Sequence, residues 1–171
     1  MVKKKIIFVF LALVAGCSFS FSQKVYYVDT QYILKQMPQY QQAKKQIETT
    51  VEKWRKEINT EEDKITQMEI TFENEKVLLT KDQIKQREKE IEESKEKLRE
   101  LSVKRFGANG DIIRTRQSLV RPIQDQVWNV INKIAKKRGI GIVLDKSGSL
   151  IMIYSNPKYD LSDLVIKELK K

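Results

Sequence analysis

From Tyr40 to Leu79 the apolar residues recur in steps of three and four, and this seam limits the possible folds more than any other feature of the chain. Tyr40, Ile47, Val51, Trp54, Ile58, Ile65, Met68, Phe72 and Leu79 fall on one side of a helix, interrupted at Lys44, Glu61 and Glu75 and flanked by Lys, Glu and Gln. No Gly and no internal Pro breaks the run. A helix solvated all round would leave Trp54 and Phe72 bare, so the spacing predicts a partner helix, with both Trp54 and Trp128 taken as core residues. Thr80-Lys81-Asp82-Gln83 supplies the return, since Thr80 as N-cap with Gln83 three residues on is a capping-box pattern. The second helix carries Ile84, Ile91 and Leu98 at seven-residue intervals, then Leu101, Phe106, Ile112, Ile113, Leu119 and Val120, and is expected to run to Pro122. Position 80 lies midway between Pro38 and Pro122, so residues 39–121 read as a hairpin arm with its tip near 79–82, each half about 60 Å long at 1.5 Å per residue.

Charge explains how so thin a seam stays in water. Of the 83 residues from Gln39 to Arg121, 36 are charged, 19 positive and 17 negative. Such an arm cannot form a globular core and is expected to project into solvent. Gly107 and Gly110 stand within the returning helix, where each costs about 1 kcal/mol relative to Ala. Two such costs suggest a bend or pivot, and close helix packing at a small residue is the alternative. On the pivot reading, Ala at both positions should stiffen the arm.

Both ends of the chain read as a small β-containing body, residues 24–38 and 122–171. Val25-Tyr26-Tyr27-Val28 is a strand, Asp29-Thr30 a helix cap, and Met37-Pro38 the end of a short helix. After Pro122 the stripe widens through Ile123, Val127, Val130, Ile131 and Ile134, and Gly139 stops the helix. Ile140–Leu144 and Leu150–Tyr154 read as a β-hairpin about the turn 145–149, and Asp160 with Asp163 caps a last helix. Three short strands make a sheet too small to stand alone. Self-association is therefore expected, with a barrel closed by strands from several subunits through Val25, Tyr27, Ile142, Leu144, Ile151 and Ile153. The fold class is α+β, mostly α.

The sequence has no His and a single Cys, Cys17, which removes imidazole bases, His-ligated metals, disulfides and thiolate sites downstream of that residue. Acidic pairs such as Glu61-Glu62 lie on a polar helix face and do not form an acid–base pair. No enzyme activity and no cofactor or metal is expected. Lys3, Lys4 and Lys5 before the apolar run Ile6–Ala15 have the layout of a secretory signal peptide over residues 1–23. Cleavage near Ser20-Phe21-Ser22 is favoured over lipid attachment at Cys17, because only Ser18–Lys24 would tether an anchored domain. Of the formal charge of +10, three units belong to that signal, two to the arm and five to the body. The basic excess is not concentrated on the arm, and no groove-reading motif accompanies it, so nucleic acid is not an expected partner.

The order of elements resembles the Skp/OmpH family of periplasmic chaperones. The resemblance rests on Val25–Asp29, Gln117–Ile123, Ile134–Gly139, Ile142–Lys146 and Tyr154–Ser162. It implies a periplasmic homotrimer with a small β-barrel body and three helical arms, which holds unfolded outer-membrane β-barrel proteins without ATP; a membrane or lipopolysaccharide surface is a further partner under that reading. The strongly basic arms of the family's best-studied members are not matched here. Met68, Phe72, Val77, Leu78 and Leu79 are the candidate client-binding residues, since seam packing needs only some of them and adaptable Met and aromatic side chains suit a surface accepting many sequences. An anionic-surface or nucleic-acid binder, and an envelope protein anchored through Cys17, are the competing readings.

Overall fold

A computed structural model describes residues 24–148 and 152–171. These divide into two units, Gln31–Asn129 and a second made of the residues up to Thr30 together with Val130–Lys171.

The first unit is helical. Helix α1 (Thr30–Lys35) stops just before Pro38, which takes the first position of α2 (Pro38–Glu75), where its missing N–H would have had no helical partner. α2 runs into a 3₁₀ turn, Lys76–Leu78, and Thr80 then caps α3 (Lys81–Phe106). The Thr80 hydroxyl accepts from the Gln83 N–H at 3.4 Å and the Gln83 side-chain oxygen accepts from the Thr80 N–H at 2.9 Å. This reciprocal pair contributes about 1 kcal/mol and makes the reversal a sharp one. α3 returns antiparallel to α2: Lys95 meets Glu69 at 2.7 Å, and the rings of Trp54 and Phe106, equally far from Thr80 along the chain, meet edge-on with centroids 6.2 Å apart.

The seam is as narrow as its spacing requires. Ala43, Ile65, Phe72 and Ile91 are the buried residues of α2 and α3, and the three large ones contribute roughly 1.5–3 kcal/mol each. Trp54 is half-buried, and Trp128, expected in the core, is 56 % exposed. The broad stripe after Pro122 buries Val127 but leaves the next position outside it.

The returning helix does not end at Pro122. It stops at Phe106, and after Gly107–Gly110 a new helix, α4 (Asp111–Arg138), passes through Pro122 without interruption. A proline inside a helix removes one backbone hydrogen bond, at about 3 kcal/mol. Burial of Val127, Ile131 and Ile134 beyond it offsets that loss. Gly139 ends α4 as expected: at φ +63° it lets its own N–H reach Lys136 O and the Ile140 N–H reach Ala135 O at 3.0 Å.

In the second unit β1 (Val25–Val28) pairs in parallel with β2 (Ile142–Asp145), Val25 opposite Ile142 and Val28 opposite Asp145. On its other side Tyr27 bridges to Asp160, the Leu161 N–H donates to Tyr27 O at 2.9 Å, and the Asp29 N–H donates to Ser162 Oγ at 2.8 Å. Both edges of β1 are therefore occupied. Residues 152–154 nevertheless form no strand beside β2, with Ile153 97 % and Tyr154 80 % exposed. The observed ladder of 142–145 joins the two ends of the chain, and the expected hairpin of 140–144 with 150–154 is not formed at 152–154; Leu150 and Ile151 lie outside the described residues. Tyr27, Val28, Leu161 and Val165 form buried parts of this unit, the last on α5 (Ser162–Leu169), whose first N–H is taken by Asp160 Oδ1 at 2.8 Å.

Asp145 ties the end of β2 to the start of α1. Its carboxylate accepts from the Thr30 N–H at 3.2 Å, the Thr30 hydroxyl at 2.7 Å, and the Ser147 N–H and hydroxyl at 3.0 and 2.8 Å. Burial pushes this carboxyl up, but the four donors outweigh burial and hold it below the usual aspartate value. A depressed folded value contributes stability above about pH 4, the unfolded aspartate range, and loses it as pH falls through the folded value. Asp145→Asn should lower stability at pH 7 by about 1–2 kcal/mol in urea unfolding. It should also flatten the stability loss of the natural chain below about pH 4.

Candidate functional site

The hairpin tip separates the five candidate contact residues by burial. Phe72 is 7 % exposed and closes the seam opposite the α3 side, while Met68 and Leu79 are half-buried. Val77 and Leu78, on the 3₁₀ turn, are 87 % and 83 % exposed. The turn causes the difference: α2 places an apolar residue on the seam every three or four positions, and tightening into 3₁₀ geometry rotates the next two away from it. Lys76 beside them lies 3.5 Å from Glu73 and 5.1 Å over the Phe72 ring, leaving the turn's apolar tip uncovered.

Below the tip, α2 and α3 diverge enough to leave shallow grooves. One, of about 210 Å³, is floored by Met68, Phe72 and Ile91 and edged by Glu75 and Arg87. Phe72 and Ile91 also floor a second, of about 400 Å³, edged by Glu69, Glu73, Glu88, Glu92 and Lys95. A third, of about 460 Å³, runs along Ile65, Met68, Leu98 and Leu101 and is walled by Glu57, Glu61, Lys64 and Lys97. Each combines apolar floor with mixed charge at the rim, a surface that can accept an extended amphipathic segment without reading its sequence. Among the described residues no group of three or more acidic or thiol side chains could hold a metal, and no helix is long and apolar enough to cross a membrane.

Gly107 and Gly110 bound the break between α3 and α4 and do not sit inside one helix. Neither has positive φ; what they provide is space. A Cβ on Gly107 would lie 2.5 Å from Val103 O, and one on Gly110 would lie 2.8 Å from Arg105 O. Alanine at these positions would therefore do more than stiffen the segment, because its methyl group collides with the backbone. The break is closed by its own hydrogen bonds, Gly107 N–H to Val103 O and Gly110 N–H to Gly107 O, both 2.8 Å.

Arg105 crosses this break. One arm of its guanidinium donates to Asp111 at 2.8 Å and the other to both Glu57 oxygens at 3.2 and 3.3 Å, while the group lies 5.1 Å over the Trp54 ring. The hydrogen bond to Asp111, then that to Glu57, raises the Arg105 pKa; reciprocally, the bond from Arg105 holds the Asp111 carboxyl down. Arg114 takes the other Asp111 oxygen at 3.2 Å. Nothing in the local spacing marks this cluster, because Glu57 reaches Arg105 only through the register of the hairpin.

The candidate subunit-contact residues split in the same way. Tyr27 is buried and Leu144 half-buried, whereas Val25 and Ile142, paired at the start of the sheet, are 44 % and 47 % exposed. Ile153 is exposed, and Ile151, Cys17 and the whole signal-like segment lie outside the described residues.

A family model described as outer membrane protein (OmpH-like) matches residues 24–169. An uncharacterised protein of Aquifex aeolicus (strain VF5) is 28 % identical over 164 residues, covering 96 % of this chain and 95 % of its own. The crystal structure of a Caulobacter crescentus CB15 protein, provisionally assigned as an outer membrane chaperone (OmpH-like), superposes with a TM-score of 0.69 over 89 % of each chain. At 13 % identity that similarity concerns the fold.

The space at the helix break can be tested directly. Gly107→Ala should cost about 1–3 kcal/mol in thermal or urea unfolding, because the new methyl group meets a backbone carbonyl that cannot rotate away. Asn109→Ala, at an exposed position of the same break, should stay within about 0.5 kcal/mol of the natural chain.

Proposed function

The chain belongs to the OmpH-like outer membrane protein family, and on that premise we propose that it is an ATP-independent holdase that binds unfolded outer-membrane β-barrel proteins in the periplasm and keeps them from aggregating. Family membership, together with a fold shared with a protein described as an OmpH-like chaperone, supports a chaperone-type role over an enzymatic one. The observation that carries the holdase reading is the tip: two adjacent apolar side chains more than four-fifths exposed, next to grooves floored by Met68, Phe72 and Ile91. Apolar side chains exposed together at the end of a highly charged hairpin are inexpensive to leave in water singly, but they offer an unfolded chain something to bury. Shallow grooves with both signs of charge support the same reading, since they favour many weak contacts over one tight one. Nothing in such a surface calls for nucleotide hydrolysis.

The assembly belongs to the same proposal. A homotrimer, built through the exposed ends of the paired strands at Val25 and Ile142 and the outer edge of β2, which no described strand pairs, would cover apolar surface that the single chain leaves in water. Three hairpins on one assembly would also raise the local concentration of weak sites. Export by residues 1–23 supplies the compartment in which such clients are found unfolded.

Diluting an outer-membrane β-barrel protein from urea into buffer with micromolar chain should give clear suppression of light scattering. Val77→Ser with Leu78→Ser should weaken that suppression several-fold while leaving unfolding within about 0.5 kcal/mol of the natural chain, because both side chains are exposed. Unchanged suppression by the double variant would remove the tip from the proposal. Sedimentation equilibrium should return three times the chain mass, and a stable monomer would contradict the trimer.

A further inference from the structure

We propose that Arg105 is a latch that sets the bend between α3 and α4, and that it opens on the Glu57 side. The inference goes beyond the holdase reading and does not depend on what the grooves hold.

Four residues separate Phe106 from Asp111, and the short hydrogen bonds within them fix the loop itself without fixing the direction of the helix that follows. Direction requires a tie that reaches from α4 beyond the end of α3, and the Arg105 side chain provides one. Arg105 sits at the end of α3, holds Asp111 at the first position of α4, and holds Glu57 on α2 across the hairpin. The Trp54 ring under the guanidinium and Phe106 edge-on to Trp54 limit where that guanidinium can lie. Three helices thus meet at one planar cation, whose forked geometry suits two carboxylates in different directions.

The two halves of the latch differ. Arg105 and Asp111 side chains are each 22 % exposed, but Glu57 is 39 % exposed and stands in the wall of the groove along Ile65 and Leu98. Water and solutes therefore reach the Glu57 bond first. The remaining guanidinium nitrogen, Nε, is buried without a hydrogen-bond partner, so the cation is held through its two terminal nitrogens, one to each carboxylate. Releasing Glu57 removes the link that this cation makes between α4 and α2, with the bend free to vary. The glycines give the break its room, and Arg105 selects one bend from those the room allows.

The test uses the full chain with Cys17→Ser and spin labels at Lys89→Cys on α3 and Arg121→Cys on α4, diluted with unlabelled chain so that only distances within one chain are read by pulsed dipolar spectroscopy. Both label sites are exposed. The natural latch should give one narrow distance distribution. Glu57→Gln should broaden it at least about twofold as the second arrangement becomes populated. Arg105→Gln should broaden it at least as much, with helix content by circular dichroism unchanged. Glu69→Gln, which removes the charge from another cross-hairpin pair, that with Lys95, should leave the width as it was. A Glu57→Gln distribution as narrow as the natural one overturns the proposal whatever Arg105→Gln does, and so does equal broadening by Glu69→Gln.

Discussion

The hairpin is held by an apolar seam one residue wide, and most other features of the first unit follow from that constraint. Ala43, Ile65, Phe72 and Ile91 are all that α2 and α3 bury deeply. A helix pair with so little core cannot bury its remaining faces, so these carry charge, and most of their ion pairs are exposed i,i+3 or i,i+4 neighbours that keep the helices helical without binding them together. The grooves are the same constraint seen from outside, since they form where the seam supplies only one side chain where two would fill the gap. Orientation then has to come from a few specific contacts, which is why a capping box at Thr80 and an arginine cluster at Glu57 and Asp111 weigh so heavily in this molecule.

Local rules read well from the sequence wherever the deciding atoms are neighbours in the chain. The reversal at Thr80, Pro38 at the head of a helix and Gly139 at the end of another are all of this kind: each depends on atoms within five residues. The errors lie where a distant partner overrides a local preference. Pro122 has the local character of a stop, yet burial of Val127 and Ile134 carries the helix past it. Ile142–Leu144 has the local character of a hairpin strand, yet its partner is Val25–Val28 from the other end of the chain, and residues 152–154 form no strand. Trp128 falls next to the stripe and not in it, a difference of one position that spacing alone resolves poorly.

The candidate site was legible to the same extent. Adjacent apolar residues past the end of a seam could be marked as surplus from spacing, and Val77 and Leu78 are exposed while Phe72, on the seam, is buried. The 3₁₀ turn that divides them has no sequence signature of its own, so the five candidates could not be sorted in advance. The glycine pair marked a place where backbone needs room, but the arginine that spans it is one of many in a chain rich in charge. Only its position over Trp54, between two carboxylates brought together by the hairpin register, distinguishes it from the rest.

The parallel pairing of the first strand with one that begins at Ile142 has a consequence in time. During synthesis β1 is made almost first, while every group that satisfies its backbone, from Ile142–Asp145 on one side to Asp160–Ser162 on the other, is made near the end. The helical hairpin between them uses contacts that close early and locally, whereas the sheet must close a loop spanning most of the chain. A ribosome-bound or partly exported chain therefore carries a completed hairpin and an unpaired strand together. Folding ends where the chain began, and any truncation before Asp160 leaves the first strand without one of its two neighbours.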